Sequence, residues 1–193
     1  MKTDIVLAGV GGQGILSIAA TVGMAALEND LFLKQAEVHG MSQRGGAVQS
    51  HMRISDKEIL SDLIPKGQAD IILSVEPMES LRYLPFLNKE GWLVTNTTPY
   101  KNIPDYPDES EIMELVKQYK NHIALDAEKI ASEIGSKRSS NIVMLGAASP
   151  FFKISPESFE KGIRKIFARK GEKVVELNIQ AFRAGKDFAN QNR

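Results

Sequence analysis

The sequence predicts an α/β fold: a mostly parallel sheet flanked by helices on both faces and built as a single domain. Short apolar runs of strand length alternate with amphipathic stretches of helix length through most of the chain. A glycine-rich turn joins the first strand to the first helix. The 193 residues suffice for one substantial core and are few for two.

The elements follow in order. Residues 4–8 are a short apolar strand, and Gly9-Val10-Gly11-Gly12-Gln13-Gly14 is a turn. Residues 15–27 are a helix of small and apolar residues. Gly9, Gly11 and Gly14 fit G-x-G-x-x-G, whose glycines give a tight turn, backbone approach for a ligand, and close packing of helix on strand. The helix start adds unpaired N–H groups and a positive dipole end, which favour an anion. This is the Rossmann-like beginning of a nucleotide site. Helix 15–27 is apolar on nearly every side, so its own sheet and a second body must cover it, a partner chain being one option. Residues 31–33 read as the next strand. The acid that would hold a ribose is missing at its end, where Lys34-Gln35-Ala36 stands and Glu37 comes late. The nicotinamide-dinucleotide reading loses its second support.

His39-Gly40-Met41-Ser42-Gln43-Arg44-Gly45-Gly46 describes a loop with left-handed backbone and outward polar side chains. From Ala47 to Ile54 the period becomes two. Val48, Ser50, Met52 and Ile54 face one way, and Ala47, Gln49, His51 and Arg53 the other; the second set suits an edge strand or a cleft wall. Residues 71–75 form a buried parallel strand. Pro77 opens a helix with Met78, Leu81, Leu84 and Leu87 on one side, and Gly91 ends that unit. Residues 92–96 are the next strand, and Pro99, Pro104 and Pro107 mark a surface excursion. Asp108 with Glu111 resembles a capping box ahead of Ile112, Leu115, Val116 and Tyr119. A strand at 122–126, a helix from 127 to 134 stopped by Gly135, an apolar helix at 141–148, and helices opening at Ser155-Pro156 and Glu172 complete the chain.

Composition narrows the chemistry. Lys plus Arg equals Asp plus Glu, 24 against 24, so no net field draws nucleic acid or an anionic membrane surface. Cysteine is absent, which removes disulfides, a thiol nucleophile and thiolate-bound clusters or zinc from this chain, and suits a reducing cytoplasm. No apolar run approaches a membrane span of about 18 residues. There are three histidines, with no H-x-x-x-H metal spacing and no G-x-S-x-G elbow, so neither a metal site nor an independent hydrolase is expected. Arg44, held among glycines, either meets a phosphate or carboxylate bidentately or makes a solvated ion pair; its setting favours the first. Gln13 either contacts a ligand or caps its helix. Asp126 ends a strand on the side where α/β sheets bind ligands, and capping the following helix suits it equally. Lys137-Arg138 is either phosphate-facing or a solvated helix entry.

Strand-Gly-Val-Gly-Gly-Gln-Gly with a small-residue helix, then a loop ending Arg44-Gly45-Gly46 and a strand reaching Arg53-Ile54-Ser55, resembles the gamma subunit or domain of the 2-oxoacid:ferredoxin oxidoreductases. The wording of 39–46 looks most like the beta subunits of the indolepyruvate branch, whose length the chain shares. The pyruvate and 2-oxoglutarate branches differ in the lead-in to Arg-Gly-Gly. The resemblance extends to Asp70 and to Asn141 with Leu145-Gly146. It implies oxidative decarboxylation of a 2-oxoacid, coenzyme A as co-substrate and acyl acceptor, and electrons passed to ferredoxin. It also implies that thiamine diphosphate, its magnesium ion and the 4Fe-4S clusters sit on a large cysteine-rich alpha subunit, leaving this chain to bind no cofactor alone. The residues expected to face the partner's cofactor, the coenzyme A phosphates or the subunit seam are Gly9, Gly11, Gly12, Gln13, Gly14, His39, Gln43, Arg44, Gly45 and Gly46. No residue is expected to be catalytic or to bind metal. Self-association of the chain made alone is a further expectation. Three competing readings stay open: the gamma subunit of a pyruvate- or 2-oxoglutarate-type ferredoxin oxidoreductase, a self-sufficient nucleotide-binding protein, resting on G-x-G-x-x-G, and a subunit that only holds the assembly together.

Overall fold

The computed structural model describes residues 1–39, 45–101 and 103–193, with the His39 side chain outside that description. Six strands form one sheet in the order β2-β3-β1-β4-β5-β6. They are β1 (Lys2–Val10), β2 (Phe32–His39), β3 (Ala47–Ser55), β4 (Ala69–Ser74), β5 (Leu87–Asn96) and β6 (His122–Leu125). β1, β4, β5 and β6 run parallel, while β3 is antiparallel to both β1 and β2. The expected mostly parallel sheet is present, with the reversed strand where no helix-length segment separates β2 from β3.

Helices α1 (Ile15–Leu27), α4 (Ala127–Glu133), α5 (Ser140–Ala148), α6 (Pro156–Phe167) and α7 (Glu172–Asn192) cover one face. Helices α2 (Pro77–Arg82) and α3 (Glu109–Lys117) lie on the other. Ile5, Leu7, Ile71, Leu73, Val94 and Ile123 point to the first layer, and Val6, Ala8, Ile72 and Leu93 to the second. This is the alternation that a strand buried on both faces requires.

Helix α1 has the predicted bounds. Its second cover is α6, and Leu16, Ala20 and Leu27 remain exposed along one stripe. Three expectations need correction. β2 does not stop near Leu33 but runs to His39, because every residue in it pairs with β3 although Lys34-Gln35 is polar. β3 is therefore an inner strand and β2 the edge. β5 starts at Leu87, so Leu87 leaves the helix assigned to it and Gly91 lies inside a strand. α3 buries Ile112 and Val116, while its Leu115, and Tyr119 just past its end, face solvent, so the apolar stripe is narrower than its spacing suggests.

Candidate functional site

The β1–β3 ladder continues as far as Val10 opposite Ala47. The chain leaving β1 and the chain entering β3 are therefore neighbours. The Gly11 N–H donates to the Gly46 carbonyl at 2.8 Å, and the Gly45 N–H to the Gly11 carbonyl at 3.5 Å. Two glycine stretches far apart in sequence become one structure. His39 ends β2 opposite Val48. Gln43 and Arg44, with residues 40–42, lie outside the described residues.

The turn is held from within. The Gln13 Oε1 accepts from the Val10 N–H at 2.8 Å, and its Nε2 donates to the Val75 carbonyl at 3.2 Å. Both ends of that amide thus tie the turn to β1 and to the end of β4, which makes Gln13 a positioning residue. Gly14 has φ +83°, and a Cβ there would lie 2.5 Å from the Asn141 Nδ2, which donates to the Gly14 carbonyl at 3.0 Å. Gly14 thus packs against α5 rather than against a strand. At Gly9 a Cβ would meet Val75 at 2.4 Å. Gly12 differs from both: it is exposed, with no atom within 4 Å of a Cβ position. Beside it, among the described residues, α1 begins with no side-chain cap and no acid in its first turn, so no described side chain compensates the dipole end. Leu16 is 64% exposed there.

β1 sends its helix to one face and β4 to the other, so the chain diverges at this crevice, the ligand-binding position of open α/β sheets. A cavity of about 60 Å³ lies beneath, walled by Gln13, Val75, Asn96, Glu128, Asn141 and Met144. The Asn96 Oδ1 accepts from the Ala127 N–H at 3.1 Å, and its Nδ2 donates to Glu128 at 2.9 Å. Asp126 caps α4 through the Lys129 N–H at 2.8 Å. Lys137 and Arg138 are exposed on the 3₁₀ turn leading into α5.

Sequence reading overlooked Glu76, which is fully buried at the end of β4. Its carboxylate accepts from the Glu79 N–H at 2.8 Å, from the Tyr100 N–H at 3.3 Å and from the Tyr106 hydroxyl. Burial first, and then the bond to Glu76, push the Tyr106 hydroxyl pKa above the usual tyrosine range. The acid immediately before Pro77, at a helix start, was the available sign. Arg53 bonds the fully buried Asp4 at 2.9 and 3.2 Å and donates to the Ser61 and Leu63 carbonyls, each at 3.1 Å. The His51 Nδ1 accepts from the Ile64 N–H at 2.9 Å, and its Nε2 meets the Gln49 side-chain amide. Burial holds its pKa below the ordinary histidine value.

Among the described residues, no three His, Asp or Glu side chains converge as metal ligands, and no helix is long and apolar enough to cross a membrane. Residues 4–188 match the family described as pyruvate ferredoxin/flavodoxin oxidoreductase. The chain belongs to this family. Among pyruvate ferredoxin/flavodoxin oxidoreductase relatives, it is 39% identical to the indolepyruvate oxidoreductase subunit IorB of Pyrococcus horikoshii, over 97% of this chain and 96% of that one. It is 31% identical to the 2-oxoglutarate synthase subunit KorC of Methanothermobacter marburgensis, over 97% of each chain. The solved gamma subunit of a keto/oxoacid ferredoxin oxidoreductase from Geobacter sulfurreducens superposes with a TM-score of 0.70 at 26% identity, over 98% of this chain and 99% of that one.

Proposed function

We propose that residues 1–193 form one gamma-type domain, the cluster-free subunit of a 2-oxoacid:ferredoxin oxidoreductase acting on indolepyruvate or a similar aryl pyruvate. The reading is supported by identity along the whole chain, higher to the indolepyruvate subunit (39%) than to the 2-oxoglutarate subunit (31%). The enzyme would release carbon dioxide, pass the acyl group to coenzyme A and deliver electrons to ferredoxin in the cytoplasm. Thiamine diphosphate with magnesium and 4Fe-4S clusters supply the decarboxylation and electron transfer in such enzymes. This chain has no thiolate to hold a cluster. Those groups are therefore assigned to a large cysteine-rich alpha subunit, which also meets ferredoxin.

What this chain contributes is a wall of backbone. The observation that carries the proposal is the Gly11–Gly46 hydrogen bond, which joins the turn holding the open Gly12 and the uncapped start of α1 to Gly45 and Gly46. N–H groups there suit a phosphate or carboxylate, Arg44 would add the charge, and the exposed Leu16 suits the partner's surface. Gln13, Gly14 and Asn141 hold the wall in position.

The test is Arg44→Ala and Leu16→Glu in the co-expressed complex. The first removes a charged partner, and the second puts a carboxylate at the α1 start. Each should raise KM for coenzyme A or for the 2-oxoacid by about 10- to 100-fold, the worth of a charged hydrogen bond. Unchanged KM, kcat and subunit association in both variants would remove the assigned role. Tight nicotinamide-nucleotide binding by the chain alone would overturn the subunit reading.

A further inference from the structure

β2 is the last strand of the sheet. Its ladder to β3 is unbroken from Phe32 opposite Ser55 to His39 opposite Val48, so its other row of N–H and C=O groups points out of the sheet. Its eight residues contain no proline and no bulge, and the ammonium of the exposed Lys34 is bonded to the Leu60 carbonyl at 3.3 Å. Two apolar side chains on one face of this strand are open to solvent, Phe32 at 50% and Val38 at 65%. Val38 is also a wall of a groove of about 270 Å³, closed by Ala36, Leu63, Ile64 and Phe86 with Gln49 and His51.

Phe32 and Val38 stand six positions apart with Gln35 midway. If two copies pair antiparallel about a two-fold axis at Gln35, Phe32 of each lies directly opposite Val38 of the other, on the same face and about 5 Å away. Lys34 then lies opposite Ala36, and Leu33 opposite Glu37, so no like charges meet. A two-fold axis perpendicular to the sheet can pass only through a residue pair, and the neighbouring choices are worse. Centred on Lys34 it opposes two ammonium groups; centred on Ala36 it sets Lys34 against Val38 and leaves Phe32 beyond the strand end. The pattern fits itself in one register.

We propose that two copies of this chain join edge to edge through β2, with the Phe32 ring of each copy at the mouth of the other's groove and a single sheet running through both. Two features select a second copy: the edge demands an extended strand, and the spacing of its exposed apolar residues is symmetric about its own centre.

The chain has no cysteine, so single-cysteine variants report cleanly. With a short thiol-to-thiol crosslinker, Gln35→Cys should link to itself most strongly along β2. Phe32→Cys mixed with Val38→Cys should link to each other far more than either links to itself. By light scattering the purified full chain should be a dimer, and Val38→Lys, at an exposed position, should dimerise at least about tenfold more weakly with an unchanged circular dichroism spectrum. Should Val38→Lys misfold, the crosslinking pattern decides. A monomer without Gln35→Cys linkage, strongest linkage at Lys34→Cys or Ala36→Cys, or Gln35→Cys in the co-expressed complex linking to a different subunit would each overturn the proposal.

Discussion

On one face of the sheet, α5 and α7 cross so closely that a Cβ on Gly185 would lie 1.9 Å from the Val143 carbonyl oxygen, and one on Gly146 2.0 Å from that of Phe182. On the other face, over β2 and β3, none of the described helices lies, and the loop 56–66 takes its place. The first region is sealed by shape, since small residues let two helices meet backbone to backbone and bury Phe159, Ile179 and Phe182 completely. The second is held by polar bonds. The inner β3 presents Gln49, His51 and Arg53 on that side, and Arg53 and His51 pin the loop through its backbone. The apolar residues of this fold are thus concentrated in the five-helix layer. The β2 side keeps an open groove and an edge that no strand among the described residues pairs.

The comparison breaks most severely at Gly185. Gly185→Val forces α5 and α7 apart, and the loss should reach about 3 kcal/mol, the upper end of overpacking costs. It should appear as a lower urea midpoint at constant slope. A loss under about 1 kcal/mol would mean that the helix contact is not the seal described. Arg53→Ala attacks the other region. It leaves the buried Asp4 carboxylate with Lys2 at 2.7 Å, and should cost about 2 kcal/mol, below the usual range for a broken buried pair because Lys2 remains. Amide exchange over 56–64 should accelerate more than exchange in α5 and α7; equal acceleration in both would erase the distinction between the regions.

The smallest expected effect is on pH dependence. Burial depresses the His51 pKa in the folded chain below its unfolded value, so the unfolded state binds more protons as pH falls. His51 therefore costs no stability above about pH 6.5, the unfolded value, and stability declines below it until the folded-state pKa is passed. His51→Asn should flatten the urea-midpoint profile between pH 7 and pH 5, by less than one proton's worth of slope. A profile that keeps its slope would place the titrating group elsewhere.

Much of the fold could be read from local pattern. Helix α1 runs from Ile15 to Leu27 as its composition indicates, because a left-handed glycine begins it and small residues fill its buried side. β2 was half hidden, since Lys34 and Gln35 look like a loop until β3 pairs with them. The glycine turn was legible as a turn between strand and helix, whereas Gln13's part in it was not: its amide is satisfied by Val10 nearby and by Val75 just past another strand. Glu76 escaped notice for the same reason, as two of its donors, the Tyr100 N–H and the Tyr106 hydroxyl, come from a segment well along the chain.

Residue type and spacing alone specify the alternation of strands and helices, the glycine turn, the polar side of β3 and the lack of thiols. These depend on residue type and short-range spacing, where backbone sterics and hydrophobic period act. Only the tertiary structure decided that β3 runs backward between β2 and β1. Only it joined Gly11 to Gly46 and placed β2 at the edge of the sheet. Those outcomes depend on which backbone hydrogen bonds are made between distant segments, and no local pattern specifies a partner strand.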